Sequence, residues 1–99
     1  MEIKVTARHF DAKPDLREDA INAAKKFEKF YSHIISTEVI LSFEKMHDSI
    51  KTAEFIVHVH DHTLVAKESS DDFFKSLHDG SEKMVRQLTK LKTKQHVQL

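Results

Sequence analysis

Residues 71–95, DDFFKSLHDGSEKMVRQLTKLKTKQ, carry the strongest apolar period and the strongest charge asymmetry in the chain. Phe74, Leu77, Ser81, Met84, Leu88 and Leu91 step by three and four residues. That spacing predicts a helix with one side laid on a core. Lys83, Arg86, Gln87, Lys90 and Lys94 form a second stripe beside it, and no acid follows Glu82. The last turns therefore present a basic edge. Ser69 and Ser70 supply N-cap candidates, and Asp71 and Asp72 place acids where the helix dipole favours them. Cations near a helix C-terminus are also stabilising in themselves, and a lysine-rich outer face is the ordinary way for a surface helix to stay solvated. Gly80 sits in the middle of this helix, where glycine costs about 1 kcal/mol against alanine, and close packing over a sheet is the expected reason for it.

Working back toward the N-terminus, the period changes from three or four to two. Ile3, Val5 and Ala7 alternate with Lys4, Thr6 and Arg8, a strand with one buried face. Pro14, the single proline, suits a first helical position, with Asp15 and Glu18 in the first turn. Leu16, Ala20, Ala23, Ala24, Phe27, Phe30 and Tyr31 give that helix its apolar side, and Lys25, Lys26 and Lys29 cluster on another. A second strand is expected over 37–45, with Val39, Leu41 and Phe43 inward. The segment 46–50 breaks the alternation, which resumes at Ala53, Phe55, Val57 and Val59. Asp61-His62 reads as a turn, and Leu64 and Ala66 restart the pattern before the last helix.

The order β-α-β-β-β-α with one apolar side per element specifies an α+β fold: a four-stranded sheet with two helices packed on one face. The last three strands form an antiparallel meander, and the first lies at an edge or parallel beside the second. Residues 1–96 make a single domain, with 97–99 as a short tail. On the outer side of the helices, Lys25, Lys26 and Lys29 are expected to join the stripe from Lys83 to Lys94.

Charge totals are balanced, 16 Lys and Arg against 16 Asp and Glu, so only their distribution points to a partner. Residues 83–99 hold five cations and no acid, while residues 1–82 hold 11 cations against 16 acids. A local field of one sign steers a ligand even when the sum is zero. The absence of cysteine excludes disulfide scaffolds, thiol catalysis and thiolate-bound zinc. No stretch has the length of apolar sequence needed for a membrane span, and the N-terminus has no secretory signal pattern, so a cytoplasmic location is expected.

Eight histidines include His58, His60 and His62 at alternate positions. Alternate residues on a strand lie about 6.5 to 7 Å apart, too far for three in a row to converge on one tetrahedral ion. No metal or cofactor is expected, and the cluster stands as the weaker alternative of a histidine metal site. One glycine in the chain leaves no phosphate-cradling loop, dinucleotide fingerprint or nucleophile elbow. The reading is a binding protein, not an enzyme, with no small-molecule substrate. Strand addition at a sheet edge is a further binding option.

Asp72-Phe73-Phe74 followed by Lys83-Met84-Val85-Arg86-Gln87-Leu88-Thr89-Lys90 resembles the Asp-hydrophobic-Tyr and Lys-x-x-Arg-Gln-Leu-x-Lys pattern of the ribosome hibernation-promoting factors and ribosome-associated translation inhibitors, also called sigma-54 modulation proteins. Leu16-Arg17-Glu18, Lys26-Phe27-Glu28-Lys29 and Ala53-Glu54 add weaker matches, so the resemblance spans nearly the whole chain. It implies a stress or stationary-phase factor that binds small-subunit ribosomal RNA in the decoding channel and sterically excludes messenger RNA and tRNA. Polar side chains of the helices would face that RNA: Lys26, Lys29, Lys83, Arg86, Gln87 and Lys90 from the resemblance, Lys25 and Lys94 from helix geometry. Phe74 stands where the family has tyrosine, Ala23 where a basic residue is common, His78 for an acid and Gly80 for an aliphatic residue. The family's long form carries a further dimerisation domain, so this chain is expected to act as a short form, monomeric off the ribosome. An alternative partner is a non-ribosomal duplex RNA.

Overall fold

The computed structural model describes the backbone of residues 1–44 and 50–97, with side chains through residue 94. The order is β1 (Glu2–Arg8), α1 (Pro14–Lys25), a 3-10 turn (Lys26–Lys29), β2 (Ile34–Glu44), β3 (Ile50–Val59), β4 (His62–Ser70) and α2 (Phe73–Val97). The four strands lie in the order β1-β2-β3-β4. β1 runs parallel to β2, and the remaining neighbours are antiparallel. This is the expected α+β arrangement. Strands extend further than their alternation alone suggested, because ladder pairing continues through polar pairs such as Ser36 with His58 and Thr52 with Ser69. The pattern break expected at 46–50 falls mostly outside the described residues; Ile50 already belongs to β3.

Register explains the core. Val5, Val39, Phe55 and Ala66 lie on successive strands in one row, as do Ala7, Leu41, Ala53 and Glu68 in the next. Leu16, Ala20, Ala24 and Phe27 of the first helical segment and Phe73, Leu77, Met84, Leu88 and Leu91 of α2 cover that face. The Phe27 ring meets Phe55 edge-on, with centroids 5.5 Å apart and planes at 74°. Phe10 stacks on Phe73 at 4.6 Å. The first contact ties the 3-10 turn to β3, and the second ties the start of α2 to the loop after β1.

Gly80 sets how closely α2 approaches. A Cβ there would lie 2.9 Å from Phe55 Cε2 and 3.2 Å from Phe55 Cδ2. The missing side chain therefore makes room for the central core ring.

Three sequence expectations are corrected. The buried stripe of α2 runs through Phe73 and Gly80, whereas Phe74 is 45% exposed and Ser81 lies at its margin. Neighbouring helix positions are about 100° apart, so only one of two adjacent phenylalanines can centre on the core; stacking with Phe10 selects Phe73. Phe30, expected on the inner side of α1, is 39% exposed because the chain tightens into the 3-10 turn after Lys25. The α2 cap is Asp72, whose Oδ1 accepts the Phe74 N–H at 3.0 Å. Ser70 supports it from two residues back, donating to the Asp72 carbonyl at 2.7 Å and accepting the Asp72 N–H at 3.2 Å.

The β3–β4 turn also differs from expectation. Val59 pairs with His62, leaving His60 and Asp61 as the connection, and Asp61 takes a left-handed φ of 68°. Aspartate tolerates that conformation better than most residues. His62 consequently sits on β4 and lines a hollow with Leu64, while His58 lies on the opposite sheet face and contacts the Thr63 hydroxyl at 3.2 Å. The three histidines do not share a face. Among the described residues no group of three metal-ligating side chains converges.

Candidate nucleic-acid interface

The two helices pack beside each other on the sheet, which gives α2 two different flanks. One faces α1 and the other overhangs β4. The sequence treated the cations of α2 as one stripe joined to those of α1; the fold distributes them around this geometry.

On the β4 flank, Lys83 approaches Glu68 at 3.8 Å, both side chains partly exposed. Gln87 is half-buried, and its Nε2 donates to the Val65 carbonyl at 2.8 Å. That bond occupies an outward backbone acceptor of the edge strand. Further along, Lys90 and Lys94 rim a hollow of about 790 Å³ with Leu64, Leu91 and His62. Lys90 and Lys94 are themselves exposed. Thr89 and Thr93 turn their hydroxyls back onto the carbonyls of Val85 and Thr89, at 2.8 and 3.0 Å.

On the α1 flank, a groove runs between the helices. One section, of about 240 Å³, is lined by Asp19, Asn22, Ala23, Lys26, Phe74, Leu77, His78 and Ser81. The adjoining section, of about 470 Å³, shares Ala23, Lys26, His78 and Ser81 and adds Phe27, Phe30, Glu82, Val85 and Arg86. Small side chains, Ala23 and Ser81, occur on both helices of the groove. Lys26 and Arg86, from different helices, thus come together on one feature. His78 Nε2 holds Glu82 Oε1 at 3.1 Å, one turn apart. Lys25 and Lys29 are exposed on the first helical segment but do not line this groove.

All seven cations proposed from the sequence are exposed, and Gln87 alone of the eight is half-buried and engaged with backbone. The sequence reading missed the groove. Phe74 and Phe30 had been assigned to apolar stripes, and Asn22 and Asp19 carried no pattern of their own. The doublet Phe73-Phe74 was the available signal, since two adjacent large rings overfill one helix face.

A family model described as sigma 54 modulation protein / S30EA ribosomal protein matches residues 3–96. The chain belongs to that family. A ribosome hibernation promoting factor of Azotobacter vinelandii is 27% identical over 95 residues, covering 96% of this chain and 86% of that protein. A ribosome-associated factor Y of Haemophilus influenzae is 28% identical over 94 residues, covering 95% and 85%. Among solved structures, a ribosomal subunit interface protein from Coxiella burnetii matches this S30EA-family fold with a TM-score of 0.84 at 26% identity, over 94% of this chain and 99% of that one. The N-terminal domain of Protein Y from Thermus thermophilus matches with a TM-score of 0.80 at 15% identity, over 92% and 99%, a similarity of fold. Among the described residues, no helix is long and apolar enough to cross a membrane.

Proposed function

We propose that this S30EA-family protein is a ribosome hibernation factor of the cytoplasm that binds small-subunit ribosomal RNA in the decoding channel and excludes messenger RNA and tRNA by occupying their path. The observation that carries the reading is the placement of Lys26 and Arg86, from different helices, on one outward groove, with Lys25 and Lys29 exposed on the first helical segment and Lys90 and Lys94 exposed on the β4 flank of α2. Membership of the family and the names of its relatives support a ribosomal target. Cations of this kind neutralise phosphates and recognise the shape of folded RNA more than its base sequence. Inhibition by occupancy requires no catalytic group. Gln87 contributes to this surface chiefly by holding α2 over the edge strand through the Val65 carbonyl, and Lys83 lies beside it, 3.8 Å from Glu68.

Cosedimentation with purified ribosomal subunits tests the reading. The protein is expected to pellet with the small subunit, with an affinity that falls steeply with salt. The folded variant Lys26→Glu, Arg86→Glu, Lys90→Glu is expected to remain in the supernatant. Equal binding by that variant would remove the two-helix face from the mechanism, and no binding by the native protein at low salt would remove the ribosome.

A further inference from the structure

The groove between the helices is more than a row of cations. Among the described residues, the exposed large hydrophobic side chains are Phe30, Ile35, Val65 and Phe74, and both aromatic members of that set lie along this groove. Phe74 is 45% exposed although Phe73 next to it is buried, so the ring faces water where the core has no use for it. An exposed aromatic face beside small side chains offers a stacking platform with space above it. Ala23 and Ser81 provide that space.

The polar groups are graded along the same groove. Asp19 and Asn22 line the Phe74 section, and Arg86 lines the Phe30 section, with Lys26 common to both. The Asp19 carboxylate disfavours a phosphate at the Phe74 end, while its oxygens and the Asn22 amide match the hydrogen-bonding edge of a base. Lys26 and Arg86 favour a phosphate nearer the other end. Glu82, its Oε1 3.1 Å from His78 Nε2, is the acid lining that section against these two cations. One section thus sets the Phe74 ring beside base-edge partners, and the adjoining section adds Arg86 to the shared Lys26.

We infer that the inter-helix groove receives an unpaired RNA base, stacked on Phe74, with the attached phosphate at Lys26 and Arg86. This rests on the reading of the two-helix face as an RNA surface, and adds recognition of a single-stranded element to recognition of shape. Base stacking on an aromatic tolerates any base, because each has a π face.

The test uses the intact chain, an oligocytidylate dodecamer as single strand and an RNA duplex of equal length, with Phe74 ring protons followed by NMR. The single strand is expected to bind more tightly than the duplex and to shift the Phe74 ring signals upfield. Phe74→Ala should weaken single-strand binding about tenfold, the scale of one base stacked on an aromatic, without changing the salt slope. Phe74→Tyr should keep the affinity. Because Phe74 lies off the core, thermal melting of both variants should match the native protein. Equal affinity for duplex and single strand, or unchanged binding by Phe74→Ala, would overturn the inference. Either result alongside native cosedimentation with small subunits would remove the base pocket and leave the ribosomal reading intact. A Phe74-dependent oligonucleotide signal without ribosome binding would keep the pocket and reject that target.

Discussion

The two flanks of α2 are built from the same helix and carry different chemistry. Toward β4, Lys83 and Gln87 reach the edge strand through Glu68 and the Val65 carbonyl, and Lys90 and Lys94 continue the line beyond them. Toward α1, Phe74, His78, Ser81 and Val85 face a groove whose nearest cations are Lys26 and Arg86. The basic flank looks more like an RNA surface in the sequence, yet two of its members are engaged with the protein's own edge strand. The apolar flank looks like core, yet it opens to solvent. Charge alone does not mark which part of a helix is free to meet a ligand; a side chain's partners within the fold decide that.

The comparison breaks most visibly if charge is reversed across both flanks. Lys26→Glu, Arg86→Glu and Lys90→Glu together should lower small-subunit affinity about a thousandfold at moderate salt, since each lost phosphate contact also removes part of the salt-dependent term. Single reversals at Arg86 and Lys83 then sharpen it: in cosedimentation, Arg86→Glu should weaken binding far more than Lys83→Glu. Equal losses would show that the flanks contribute alike.

Gly80, on the buried side between the flanks, should report on packing and not on binding. Alanine gains about 1 kcal/mol of helix propensity over glycine, but its Cβ at 2.9 Å from the Phe55 ring must displace a fully buried side chain wedged against Phe27. Overpacking of a core costs about 1 to 3 kcal/mol. Gly80→Ala is therefore expected to be less stable by about 1 kcal/mol in denaturant titration, and a stabilised variant would mean that Phe55 moves aside at little cost.

Gln87→Ala should cost about 1 kcal/mol through loss of its bond to the Val65 carbonyl. Hydrogen exchange at the β4 edge should rise with it, an effect absent if Gln87 serves only the RNA. The smallest change is expected for Lys83→Gln, within about 0.5 kcal/mol in stability, because a partly exposed pair at 3.8 Å is screened by solvent.

Element order and the one-sided packing of both helices were legible from periodicity, because alternation by two or by three and four is a local property of the chain; Gly80 itself signalled the close approach, and the parallel pairing of β1 with β2 was one of the placements left open. The cations of the candidate site were legible for the same reason. The fold alone decided that Phe73 is buried and Phe74 exposed, that Phe30 leaves the core, that Asp72 caps α2, and that His58 and His62 lie on opposite faces. It also brought Lys26 to the groove that Arg86 lines, across sixty positions of sequence. Each of these outcomes depends on the rotation of a helix about its axis or the register of one strand against another. A shift of one residue turns a side chain by about 100° on a helix, or to the other face of a sheet, and only contacts with distant elements hold that choice.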